Sequence, residues 1–372
     1  MGSQSGPIEM PVELLGKSLP ELREWMASLG EPAYRGAQVY HALYAERRFD
    51  FAAITNLPAA LRERLARDAA ITLPRVARKY HSADGSVRYL MPLGPEAANL
   101  SSGAGAGAGR AATVEAVFMP SEGRQTICIS TQAGCAVDCK FCLTATLGLV
   151  RNLTAGEIVG QVLVALENNR ERLAPRTNVV LMGQGEPLLN YDATMAAVRI
   201  LLDANAVGLS PRHVTLSTSG IVPGIERLAQ EKVRPKLAVS LNASNDEQRD
   251  AIMPINRKYP IAALLEACRR YPLRPWERLT FEYVLLGGVN DAPDDARRVV
   301  RLLNGLRAKV NLIPWNPGEL PYRPPASADV EEFRRILAEK DVPVFVRYSR
   351  GQDIFAACGQ LAVIESAIAF RA

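Results

Sequence analysis

Cys135, Cys139 and Cys142 fall in the stretch "TQAGCAVDCKFC" with the spacing C-x3-C-x2-C, half of the six cysteines in the chain. In a reducing compartment, thiols packed this closely in sequence point to metal binding or catalysis rather than to structural disulfides. A structural zinc site takes four ligands, usually as two separated pairs. No fourth cysteine lies nearby, and the chain holds three histidines in all, His41, His81 and His213. An iron–sulfur cluster is normally held by four thiolates. Three leave one iron without a protein ligand, a position open to a small molecule.

Other candidate chemistry is more scattered. "LMGQGEPLLN" places Gly185, Glu186 and Pro187 at the end of a predicted strand, where a carboxylate can accept a hydrogen bond from an amino group. Cys128 in "TICIS" and Cys358 in "AACGQL" each read, in isolation, as a buried small hydrophobe, and Cys268 in "LLEACRR" as helix packing.

The elements that must position these groups follow from the apolar pattern. "SLPELREWMASLG" has Ser18 as an N-cap, Pro20 early and Gly30 as a stop, and two more helical segments follow up to residue 70. "RVARKYHSADGSVRYLMPL" carries a hairpin signal at "ADGS". The Gly/Ala/Ser stretch near 99–112 contains G-x-G-x-x-A, but no strand leads into it and no helix follows, so it reads as a linker or loop insertion. "TVEAVFMPS" and "RQTICIST" look like paired strands. From residue 124 strands ("TICIS", "NVVLMG", "HVTLSTSG", "KLAVSLNA", "LTFEYVLL", "KVNLIPW", "VPVFVRY") alternate with helices. Repeated βα units predict an α/β fold, a partial (βα)6 TIM-like barrel with its chemistry at the C-terminal strand ends; an open doubly wound sheet is the competing architecture. The predicted domains are 1–75, helical and accessory; 76–123, a short β linker with the Gly/Ala insertion; and 124–372, the barrel.

Composition sets outer bounds. With 372 residues, 48% apolar and 22% charged, the chain suits one large globular domain plus an accessory one. No apolar run reaches bilayer length and the N-terminus lacks a signal-peptide core, so no membrane association and a cytoplasmic location are expected. "MGSQSG" resembles a myristoylation signal only loosely. A net charge of +5 permits a nucleic-acid partner without demanding one.

The cysteine triplet, with Phe141 before its last member, resembles the radical S-adenosylmethionine (SAM) motif. Together with "GQGEPLLNYD", "HVTLSTSGIVP", "VSLNASND", "VNLIPWNP" and "RGQDIFAACGQL", it makes the chain similar to the RlmN family of adenine-C2 RNA methyltransferases over most of residues 10–366. The Gly/Ala stretch near 103–109 is the clearest departure from the family.

That resemblance implies a 4Fe-4S cluster on Cys135, Cys139 and Cys142, with SAM, two molecules per turnover, on its open iron. It implies a cofactor pocket lined by Gly185, Glu186, Ser217, Ser240, Leu241, Asn242 and Asn316. It assigns Cys358 as the methyl-carrying cysteine, Cys128 as the resolving cysteine and Glu115 as the catalytic carboxylate that takes a proton from carbon 2. The implied substrates are an adenosine in 23S rRNA, as protein-free RNA, and the adenosine beside the anticodon of tRNAs. A reducing partner such as flavodoxin is implied, and a monomer is expected. The sister activity at carbon 8 of the same rRNA adenosine is the enzymatic alternative. A non-catalytic iron–sulfur or zinc RNA-binding protein is the alternative of another class. The Arg-rich helices at 22–68 are the candidate contact to the RNA backbone.

Overall fold

The computed structural model describes residues 11–94 and 112–361, so residues 95–111, which hold nearly all of the Gly/Ala stretch, lie outside the described residues. The elements, in chain order, are β1 (Val12–Glu13), α1 (Leu19–Ser28), α2 (Tyr34–Tyr44), α3 (Ala59–Asp68), β2 (Ala69–Ala70), β3 (Arg78–His81), β4 (Val87–Pro92), β5 (Thr113–Ser121), β6 (Arg124–Cys128), β7 (Gln132–Gly134), β8 (Leu149–Asn152), α4 (Ala155–Glu167), β9 (Arg176–Leu181), α5 (Tyr191–Leu202), β10 (Val214–Thr218), α6 (Val222–Ala229), β11 (Lys236–Ser240), α7 (Asp246–Ile252), α8 (Ile261–Arg270), β12 (Leu279–Leu285), α9 (Pro293–Leu303), β13 (Ala308–Pro314), α10 (Ser327–Ala338) and β14 (Val344–Val346).

Helix α1 starts as its sequence predicts. Ser18 and Glu21 form a capping box that satisfies two otherwise orphaned backbone N–H groups, and Leu22 and Met26 face inward at helical spacing. At Gly36 a side chain would meet the Arg23 backbone at 2.7 Å, so glycine lets α1 and α2 approach closely. The helical unit is not a separate bead. Its Leu22, Leu43 and Leu65 belong to the same buried cluster as Leu163, Val198 and Leu216 of the sheet-and-helix body, and Tyr40 Oη donates to Asp203 at 3.0 Å. Gly16 and Gly156 seal the joint, because a Cβ on Gly16 would lie 2.4 Å from the Gly156 nitrogen.

The body is a ten-stranded sheet in the order β14-β13-β12-β11-β10-β9-β6-β5-β4-β3. The strands β6, β9, β10, β11, β12, β13 and β14 run parallel, joined by helical crossovers. This is the predicted series of six βα units with a closing strand, and its edges stay open. Burial alternates along several of these strands: one face packs into the core, and the other, with Asn178, Thr215, Thr280 and Lys309, lines a cavity. The segment expected as a β linker instead extends this sheet: β3, β4 and β5 add to β6 as antiparallel strands, with the hairpin turn at the predicted "ADGS". Cys128 is thereby flanked by Val117 on one side and Val180 on the other.

Candidate active site

The cysteine loop leaves β7, makes a short 3-10 turn at Leu143–Leu147 and returns as β8. Backbone bonds shape it from within: Cys135 N–H donates to Gly148 O at 3.0 Å and Cys142 N–H to Cys139 O at 3.1 Å. Three other parts of the chain fix it from outside. Lys140 N–H donates to Ile252 O at the end of α7, Trp315 Nε1 donates to Phe141 O at 3.0 Å, and Leu143 N–H donates to Gly359 O at 2.8 Å.

All three cysteines line one cavity of about 180 Å3 at the C-terminal strand ends, and Cys358 lines it too. Burial pushes the Cys135 thiol up to about 12 and Cys139 well above its ordinary value, and raises Cys142; the neighbouring thiols and Glu186 add to the rise at Cys139. Such thiols stay protonated in neutral solution unless a cation replaces their protons. No group of three or more His, Cys, Asp or Glu among the described residues is placed to hold a single metal ion. Thiols spread around a cavity wall, with no histidine among its lining residues, fit a multi-iron cluster better than zinc.

Glu186 faces the cysteines across the cavity and is held on every side. Its Oε1 accepts from Leu188 N–H at 3.0 Å, its Oε2 accepts from Ser219 N–H at 2.7 Å and Ser219 Oγ at 2.8 Å, and its N–H donates to Gln132 Oε1 at 2.9 Å. Burial raises its carboxyl above the usual range, and the hydrogen bonds from Ser219 and Leu188 oppose that rise. Gly185 has φ +97°, and a Cβ there would meet the Gln132 side chain at 2.6 Å, so glycine is what allows the carboxylate this position.

Ser217, Ser240, Asn242 and Asn316 also line this cavity. Asn242 has φ +56°, a conformation asparagine tolerates; its Oδ1 accepts from Val284 N–H at 2.8 Å, so it shapes the loop as much as the wall. The Leu241 side chain departs from expectation. It is fully buried in the main core and lies outside the cavity lining, because alternation at the end of β11 turns it away from Ser240. Asn316 Nδ2 donates to Ser349 Oγ at 2.9 Å and to the Cys358 carbonyl at 3.3 Å, which ties the cavity to the Cys358 loop. The hairpin turn ties that loop from the other side: Asp84 accepts from Gly351 N–H at 2.9 Å, and Asp353 accepts from Ser82 Oγ at 2.6 Å.

Cys358 also lines a second cavity of about 550 Å3, together with Cys128 and Cys142. Cys358 is exposed, but into these cavities, and their walls still withdraw enough water to push its thiol up to about 11, with Glu282 and Cys142 adding to the effect. Burial raises Cys128 further, and Cys358 contributes to that rise, which places the two thiols within electrostatic reach of each other. Glu115 is not among the lining residues of either cavity. It is fully buried, ion-paired with Arg88 and bonded to Gln184 Nε2 at 3.3 Å. The register nonetheless puts it on the sheet face that carries Cys128, since Val117 opposes Cys128 and Glu115 is two residues along. Cys268 packs in the core within α8, as its surroundings in the sequence predict.

Sequence reasoning missed Gln132, Glu282 and Trp315. Only Glu282 carried a signal, a lone acid inside the apolar strand "LTFEYVLL" that had to face a cavity. The other two act through contacts between distant segments.

With this geometry in place, comparison with known proteins gives a consistent result. Residues 129–303 match the radical SAM superfamily and residues 12–71 match the ribosomal RNA large subunit methyltransferase N-terminal domain. A protein from Koribacter versatilis named "Probable dual-specificity RNA methyltransferase RlmN" is 51% identical, covering 90% of this chain and 97% of its own. The dual-specificity RNA methyltransferase RlmN of Anaeromyxobacter dehalogenans is 48% identical over 93% of this chain and 91% of its own. A crystal structure of a radical SAM methyltransferase from Sphaerobacter thermophilus superposes with TM-score 0.85 at 44% identity, covering 94% of this chain and 99% of that one. The superfamily brings with it a 4Fe-4S cluster and SAM. The chain belongs to the RlmN family of radical SAM RNA methyltransferases.

Proposed function

We propose that the protein methylates carbon 2 of an adenosine in 23S rRNA and of the adenosine beside the anticodon in tRNA, in the cytoplasm, with Cys358 carrying the methyl group and Cys128 resolving the product. The observation that carries this reading is the shared cavity of Cys358 and Cys128, which opens toward Cys142 and so toward the cysteine triplet. Cys135, Cys139 and Cys142 would hold the cluster, and Glu186 with Ser217 and Ser240 would hold SAM. When bound, these groups supply a 5′-deoxyadenosyl radical. The protein's own part is to present a methylated sulfur on the Cys358 loop, held by Asn316, Asp84 and Asp353. Cys128 would then attack the Cys358 sulfur once the base is bound to its carbon: the S–S bond forms as the S–C bond breaks, and the released carbon takes up a proton to leave as the methyl group. Glu115, kept next to the Arg88 guanidinium, would accept the proton that carbon 2 loses.

RNA is the fitting partner for the second cavity. Arg124, Lys236, Lys309, Arg347 and Arg350 line it, and none of them forms a salt bridge among the described residues. Burial lowers Lys236 and Lys309, and like charges nearby lower them further. Cations lining a cavity suit the phosphates that flank a base drawn out of its stack. The Arg-rich helices at 22–68 would add contacts to the RNA backbone.

Cysteine variants test the reading. Cys358→Ala is expected to abolish methyl transfer while iron content and RNA binding stay at wild-type levels. Cys128→Ala is expected to accumulate RNA covalently linked to protein, visible as a shifted band on denaturing gels. Methylated product from Cys358→Ala would reject the role given to Cys358.

A further inference from the structure

Arg249 is fully buried on α7, and no carboxylate lies within salt-bridge distance of it among the described residues. A guanidinium in such a place is costly unless its donors are all used. Here they are spent on the ends of the cofactor-side strands. Nη2 donates to Ser219 O at 2.6 Å and Ser240 O at 3.1 Å, Nε donates to Leu241 O at 3.1 Å, and Nη1 donates to Asn256 Oδ1 at 3.0 Å. Ser219 is the residue that grips Glu186, while Ser240 and Asn242 bracket Leu241 on the cavity wall. One planar fork thus sets three carbonyls at the points where β10 and β11 turn into the cavity.

The same helix also docks on the cysteine loop. Ile252 O, three residues beyond Arg249, accepts from Lys140 N–H at 2.9 Å, and Ile252 and Met253 pack with Phe141, Cys139 and Cys142.

We infer that Arg249 is a positioning residue for the site: its fork fixes the Glu186–Ser219 side of the SAM pocket, while the helix that carries it braces the cysteine loop at Lys140. This rests on the cluster and SAM belonging to the three cysteines and Glu186, but not on the identity of the methylated atom.

Two variants of the full-length, anaerobically reconstituted protein test this. Arg249→Lys keeps the charge and loses the fork; SAM affinity, read by equilibrium binding, should fall roughly tenfold. Arg249→Gln loses both charge and fork and should bind SAM at least as weakly. Wild-type SAM affinity in Arg249→Lys overturns the positioning role. Should Arg249→Gln fail to fold, the lysine arm still decides, because a merely structural arginine predicts a lowered melting temperature with SAM affinity intact. Methyl transfer is not measured in either arm, so failure here is distinguishable from failure of the proposed reaction.

Discussion

Glu186 shows at the residue scale how one environment serves two states of the protein. Burial raises its carboxyl, so in the metal-free protein its contribution to stability is full below pH 4.5 and is lost as the pH rises through the raised value. In the proposed SAM site binding would run the other way, because only the carboxylate accepts strongly from an amino group. SAM affinity of the reconstituted protein should therefore weaken as the pH is lowered toward that raised value. Glu186→Gln should bind SAM about 10- to 100-fold more weakly and lose this pH dependence. Calorimetric titration across pH checks both; a variant with wild-type affinity would remove Glu186 from the SAM site.

At the element scale, the hairpin of β7 and β8 is the frame of the cysteine loop. Gly134 has φ +73° and sits at a register shift, and a Cβ there would lie 1.8 Å from Gly148 O, the same carbonyl that receives the Cys135 N–H. An L side chain cannot be placed without moving one strand of the pair. Gly134→Ala should cut iron bound per chain after reconstitution several-fold while leaving far-UV circular dichroism unchanged, since the main sheet does not depend on this hairpin. Full iron content in the variant would show that the frame adapts.

At the scale of the whole molecule, the order of strands, the Ser18 cap, the "ADGS" turn and the three clustered thiols were legible in the sequence, because each rests on local spacing that the chain carries with it. The hairpin at Arg78–Pro92 and the pairing of Thr113–Ser121 with the next strand were legible, but their joining to the main sheet was not, because the sheet edge available to a strand is set by tertiary closure and no local pattern encodes it. Motif position says nothing about which face a strand-end residue takes, so the core orientation of the Leu241 side chain was not legible. Arg249 in "DEQRDAI" looks like one more solvated helix charge, and only tertiary closure turns it inward. The same closure brings Cys358 from the end of the chain to the cavity of Cys128, and this juxtaposition gives the molecule its proposed reaction. It is tested most directly by nucleoside mass spectrometry of a short 23S rRNA hairpin after anaerobic incubation with reconstituted protein, SAM and a reductant. The expected result is 2-methyladenosine, formed by the wild type and absent with Cys358→Ala; 8-methyladenosine, or 2-methyladenosine formed without Cys358, would contradict it.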